Sequence, residues 1–323
     1  MALSPLLSEK TQNAVLIKRE PMSLAELKPT ILRFVPWLAM LFMGIVWGLS
    51  FSVAKIAVDN GGTALGIAFW QALVSAIILF IYTMIRGRPV PVNRQTLKMY
   101  LVLALLGTAI PGTAFYLAAS RVQAGVLALT VALIPMLTYC LALILRSEKL
   151  SWVRFSGIGF GLLAILFIVG PQDSLPDRAA LPWVLLACLS AVCYSMENVY
   201  LALPSLPAIG PIRTACGMHI VATIILAPVM IFMDQTFLPS LPFGALEWSV
   251  ISLGVITATA YTMFVMTIAM AGPLFASQVG YVVTLAGVFW GMAIFGETHS
   301  QWIWASLFLL MIGLTLVSPR KSE

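Results

Sequence analysis

The chain has 323 residues, of which 61% are hydrophobic and only 9% charged. A water-soluble protein carries about 25% charged residues. A fold of this size could not hide so much apolar surface from water, so lipid must solvate part of it. The net charge of +6 does not point to nucleic acid, because the Lys and Arg residues lie in an N-terminal tail and short loops rather than on one folded face.

Residues 1–34 form a mixed polar tail, expected to be mobile and cytoplasmic. The tail has no apolar core long enough for a secretory signal, so the first span is expected to act as an uncleaved anchor. Ten apolar stretches of transmembrane length follow. They run near 36–57, 65–85, 98–119, 122–145, 154–171, 182–203, 211–233, 246–269, 274–296 and 302–318. Gly61-Gly62, Pro89 with Pro91, Pro171, Pro204 with Pro207, and Pro239 with Pro242 punctuate the gaps. No gap exceeds about a dozen residues, which leaves no room for a soluble catalytic domain.

Lys and Arg set the orientation. The N-tail holds Lys10, Lys18, Arg19, Lys28 and Arg33, and the gaps after spans 2 and 4 hold Arg86, Arg88, Arg94, Lys98, Arg146, Lys149 and Arg154. With Arg213, Arg320 and Lys321 this side carries 15 of the 18 basic residues, against Lys55, Arg121 and Arg178 opposite. The positive-inside rule then places both termini in the cytoplasm, as an even number of spans requires.

Two stretches look alike. RSEKLSW (Arg146–Trp152) follows span 4, and FGETHSQW (Phe295–Trp302) follows span 9; each carries a Glu with a Ser three residues on. Glu148 and Glu297 lie 149 residues apart, and Trp47-Gly48-Leu49-Ser50 matches Tyr194-Ser195-Met196-Glu197 at an offset of 147. Each half then holds five helices, and an odd number inverts the second half relative to the first. The expected fold is an all-α membrane protein with ten transmembrane helices. It comprises two inverted five-helix repeats, 35–171 and 180–318, with 319–323 as a cytoplasmic C-terminus. The two bundles would enclose a polar pocket.

The run WGLSFSVAK (Trp47–Lys55) resembles the first helix of EamA-type transporters in the drug/metabolite transporter superfamily. PMLTYCLALILRSEKLS (Pro135–Ser151) and the later GETHS are similar to the endings of the two family repeats, and the resemblance covers about residues 37–318. It implies two inverted repeats, a cavity lined mainly by helices 1, 3, 4, 6, 8 and 9, and export or exchange of amino acids, related metabolites or drugs. The chain departs from the family pattern at Phe69-Trp70-Gln71, where an Arg is common, and at Thr284, where Pro often stands.

Ionisable groups inside lipid are costly, by about 2.5–3.5 kcal/mol on insertion scales, and so mark candidate sites. Glu197 with Asn198 in span 6 and His219 in span 7 lie at similar depth, a pairing that could exchange a proton near neutral pH or hold an amine. The competing reading is a structural hydrogen bond that fixes helix 6. Lys55 either meets a substrate carboxylate or snorkels to the interface. Trp47, Ser50, Tyr116, Tyr194, Tyr261, Gln278, Tyr281 and Trp290 lie near span centres, where rings could stack on a solute or simply pack. Trp37, Trp183 and Trp302, at helix ends, read as interfacial anchors. Glu148 and Glu297 read as structural groups near water that clasp the turn to the next helix. Pro111, Pro135 and Pro228 are expected to kink or hinge their spans. Gly157 with Gly161 and Gly287 with Gly291 are expected to allow close packing within the monomer. Cys140, Cys188, Cys193 and Cys216 read as reduced, buried small hydrophobes.

The expected function is a secondary transporter in the inner membrane that moves a small organic solute (an amino acid, amine or drug-like compound) by alternating access, with a proton as candidate coupling ion. A passive channel or a scaffold is the alternative. No GxxxxGK[ST] loop, intramembrane Asp or metal-ligand cluster supports an ATP-driven pump, an enzyme, a metal or a cofactor. Solute and lipid are the expected partners, with no nucleic acid, in a monomer or weak dimer.

Overall fold

The computed structural model describes residues 24–317 except 147, 172, 176, 204 and 278, and for 24–36 and 268–277 it describes backbone only. Contacts divide the chain between Leu38 and Ala39, and the packing below concerns the unit that begins at Ala39. The described residues are helical with short connections. Helix α1 is Leu24–Asp59 and α2 is Ala64–Ile85. Segment α3, Arg94–Ala119, contains a π-helical turn, and α4, Ala124–Ile144, is interrupted. Next come α5 (Trp152–Val169), α6 (Leu181–Leu201, after a 3-10 turn at Arg178–Ala180) and α7 (Pro211–Phe232). The chain continues through α8 (Ala245–Ser277), α9 (Val279–Phe295) and α10 (Gln301–Val317).

Eight of these are long and apolar enough to cross a membrane; α9 and α10 are shorter apolar helices of 17 residues. Ile224, Ile231 and Phe308 are more than 60% exposed. Apolar surface of this extent is what a lipid-solvated protein presents.

Most boundaries match the sequence pattern, with two exceptions. Helix α1 begins at Leu24 rather than near 36, within the stretch expected to be an unstructured tail; residues 1–23 lie outside the described residues. Ser23 stands three residues before Glu26 in the S-x-x-E pattern of a helix start, followed by helix-forming Leu27 and Lys28. Helix α8 continues to Ser277 through Gly272-Pro273, which the apolar pattern treats as a gap. The flanking Ala, Met, Leu and Phe residues are compatible with that continuation.

The ends of the helices explain where they stop. Thr63 accepts from the Gly66 N–H at the start of α2, and Asn93 with Thr96 forms a capping box at the start of α3. Arg178 donates to the carbonyls of Val169, Gly170 and Pro171, covering the C-terminus of α5 with positive charge. Pro111 lacks the N–H that would bond Gly107, and the ladder widens into the π turn Leu105–Ala109 just before it. Pro135 likewise lacks the N–H for Val131, and α4 breaks at Ala132–Leu133. At Thr284, in the corresponding place 149 residues on, α9 is continuous. Helix α7 continues through Pro228.

Helix α2 packs on α7 and α8, α4 on α9, and α5 on α10; α6 packs on α3 and α4, and α7 on α3. Helix α1 meets α8 through the Trp47–Phe264 ring contact at 5.9 Å, and meets α9 where Gly48 lies under Ala286. The buried residues fall into two clusters. One draws mainly on α4, α5, α6, α9 and α10, the other on α2, α3, α7 and α8, with α1, α3 and α8 placing buried residues in both. The expectation of two bundles made from successive halves therefore needs correction: each cluster mixes helices from both halves. Close approaches at glycine explain part of this. A Cβ at Gly287 would strike Ala128 at 2.5 Å, and one at Gly157 would strike the Gly313 carbonyl at 2.7 Å. Both glycine pairs thus pack within the chain.

Candidate functional site

A cavity of about 150 Å3 opens between the two clusters. An engineered cavity of about that volume takes up benzene. Residues of α1, α2, α3, α4, α6, α7, α8 and α9 line it, so α2 and α7 join the six helices the family resemblance implies. Helical spacing produces the wall. Trp47, Ser50 and Phe51 share one face of α1; Tyr194, Glu197 and Asn198 share one face of α6; Leu253, Thr257, Tyr261 and Phe264 form one stripe of α8.

Glu197 stands at the centre, 4% exposed. Its Oε1 accepts a 2.9 Å hydrogen bond from the Tyr261 hydroxyl, the one hydrogen bond to this carboxyl among the described residues. The carboxyl lies against Gly107 in the π turn, where an added Cβ would come within 2.5 Å of Cδ and 2.7 Å of Oε2. The side-chain-free backbone of the turn is what makes room for the carboxyl. Two serines link α6 to the irregular helices: Ser190 donates to the Pro111 carbonyl at 2.8 Å, and Ser195 shares its proton between the Ala191 carbonyl of its own helix at 2.7 Å and the Ile134 carbonyl at 3.0 Å. Those bonds serve backbone segments whose ladders proline disturbs.

His219 lines the same cavity and is 1% exposed. It does not pair with Glu197. Its ring packs edge-on to Tyr261 at 6.2 Å, and neither ring nitrogen has a hydrogen-bond partner among the described residues. Tyr261 thus stands between the two ionisable groups.

Trp47, Ser50, Tyr116, Tyr194, Glu197, Asn198, His219 and Tyr261 therefore come together on one wall. Ser50 donates to the Trp47 carbonyl within its own helix. Lys55 and Tyr281 are not on the lining; Lys55 reaches Asp59 at 3.5 Å, and Tyr281 packs against the first cluster. Trp290 donates to the Ile45 carbonyl, joining α9 to α1. Gln278 lies outside the described residues. The lining also holds groups that residue chemistry did not single out. The Gln71 amide receives the Tyr116 hydroxyl and donates to Thr257 at 2.6 Å. The available signal was the amide itself, standing where the family often has a charge.

Away from the cavity, Glu297 is buried rather than near water. It accepts from the Ala124 and Gly125 N–H groups at 2.8 and 3.0 Å, and so caps α4 instead of the turn to its own next helix. Gln123 at that helix start provides no side-chain cap. His299 Nε2 stands 3.7 Å from the same carboxylate. Burial pushes the His299 imidazole below its ordinary range, against the opposing pull of Glu297. Glu148 does clasp its following helix, through Arg154 at 3.1 Å. The four cysteines are free; Cys193 and Cys216 are buried and Cys140 and Cys188 partly so.

A model described as the EamA-like transporter family matches residues 35–170 and 181–318. The "Uncharacterized inner membrane transporter YedA" of Escherichia coli K12 is 26% identical over 88% of this chain and 90% of its own length. The "Uncharacterized transporter YoaV" of Bacillus subtilis is 23% identical over 50% of this chain and 56% of its own. A solved crystal structure aligns with 86% of this chain and 94% of its own at TM-score 0.59 and 16% identity, which shows a shared fold.

Proposed function

The chain belongs to the EamA-like transporter family, and from that membership we propose an inner-membrane secondary transporter that carries a small organic solute by alternating access around Glu197. The observation that supports this most is the cavity itself: polar groups and aromatic rings from eight helices line one volume between them. Discontinuous helices beside a midplane site are a recurrent feature of carriers, and α3 and α4 are interrupted where they meet this one.

Counting α9 and α10 gives ten spans, since 17 residues is the lower limit for crossing a bilayer. The packing supports inverted repeats. Advancing each helix by five places maps the α2–α7, α4–α9 and α5–α10 pairs onto themselves, and maps α2–α8 onto α7–α3. The α6–α3 pair likewise maps onto α1–α8, the partners joined by Trp47 and Phe264. The distribution of Lys and Arg favours cytoplasmic termini. The bodies that rock are then the two mixed clusters, with α1, α3 and α8 shared between them.

Counterflow in proteoliposomes tests the reading. A carrier accelerates entry of labelled solute when the lumen is preloaded with the same solute; a channel or scaffold gives no such trans-stimulation.

A further inference from the structure

Resting on that carrier reading, we propose that the cavity selects small organic monocations, protonated amines with an aromatic or apolar body, over zwitterions and anions. The charge inventory is one-sided. Among the described residues Glu197 is the sole acid on the wall, and the wall holds no Lys or Arg. Residues 268–278, whose side chains are not described, contain no ionisable residue. Lys55, the basic residue of α1 nearest in sequence to the lining, is engaged with Asp59.

The hydrogen-bonding inventory points the same way. Several donors on the wall are already used: the Tyr261 hydroxyl on Glu197, the Tyr116 hydroxyl on Gln71, and the Gln71 amide on Thr257. What remains open on the wall includes one strong acceptor. The Tyr261 bond occupies Glu197 Oε1 and leaves Oε2 without a hydrogen-bond partner among the described residues. A ligand bearing N–H groups and positive charge satisfies it. Thr108, Asn198 and Tyr194 can still serve a hydroxyl or carbonyl, but neutral donors beside Glu197 do not offset a second carboxylate. The rings of Trp47, Tyr194 and Tyr261 line the cavity, and aromatic rings attract a cation and supply apolar surface to its body.

Four probes with the same phenyl body and different heads separate the classes: 2-phenylethylamine, L-phenylalanine, 3-phenylpropionate and 2-phenylethanol. Binding to the purified full-length protein at neutral pH is read by tryptophan fluorescence. The amine should bind at least about tenfold more tightly than the other three, the scale of one charge-assisted hydrogen bond. In E197Q this preference should vanish. Equal or tighter binding of phenylalanine or phenylpropionate, or no binding of any probe, overturns the proposal on the wild-type protein alone, whether or not E197Q folds. Counterflow of the amine, against protein-free liposomes, tests the carrier separately. Amine binding without counterflow removes the carrier and keeps the cation site. Counterflow of phenylalanine with no response to amine keeps the carrier and removes the cation site.

Discussion

Gly107→Ala places one methyl group on the carboxyl that the cavity is built around. A Cβ there would lie 2.5 Å from Glu197 Cδ. Carbon atoms rest at about 3.5–4.0 Å, so the carboxyl must retreat by about 1 Å. The Tyr261 bond, now 2.9 Å, does not survive that movement unchanged. Leaving a buried hydrogen-bonding group unsatisfied costs about 1–3 kcal/mol. Replacing Gly by Ala in a helix returns about 0.5–1 kcal/mol. The variant should therefore fold with a net loss of about 0.5–2 kcal/mol and, where binding loses the same amount, show an apparent affinity weaker by about 2- to 30-fold, at about 1.4 kcal/mol per factor of ten. Thermal unfolding and counterflow on one preparation measure both quantities. Gly159→Ala is the control: nothing lies within 4 Å of its added Cβ, it is outside the cavity lining, and it should be neutral or slightly stabilising. Wild-type affinity and unfolding temperature in Gly107→Ala would refute the placement of the Glu197 carboxyl.

Tyr261→Phe removes the hydroxyl from Glu197 but keeps the ring beside His219, so apparent affinity should fall while stability changes by no more than about 3 kcal/mol; saturation kinetics check this. Glu297→Ala leaves two N–H groups of α4 uncapped and should cost about 1–2 kcal/mol, whereas Glu148→Ala, at an exposed ion pair, should cost less than about 1 kcal/mol; thermal unfolding ranks them. Burial makes His299 harder to protonate in the fold than in the unfolded chain. Below about pH 6.5 the unfolded chain takes up that proton first, so stability should fall with falling pH, and His299→Gln should flatten the unfolding temperature across pH 5–7.

The cost of charge in lipid singled out Glu197 and His219 in the sequence; Asn198 stood beside Glu197, and Tyr194 was one of the rings near span centres. Gln71 and Thr257 were not legible, because neutral amides and hydroxyls cost little in a helix and only the packing of α2 against α8 brings them together. Gly107 carried no signal either; its role follows from the π turn before Pro111, a distortion that proline permits but does not dictate. Lys55 lies one turn beyond the wall, close enough to Asp59 to pair locally. Most helix boundaries followed apolar length, except where α1 begins at Leu24 and where α8 runs through Pro273. Which faces meet did not follow from it, and so the sequence halves suggested two separate bundles where the structure interleaves them.

The most direct test of alternating access uses Ser50→Cys, on the cavity wall, in a chain whose four native cysteines are replaced. A membrane-impermeant maleimide is applied to right-side-out and to inverted vesicles. A carrier should expose Cys at this position to each face in turn, with labelling from both sides and protection by transported solute. Labelling from one face only, under all conditions, would contradict it.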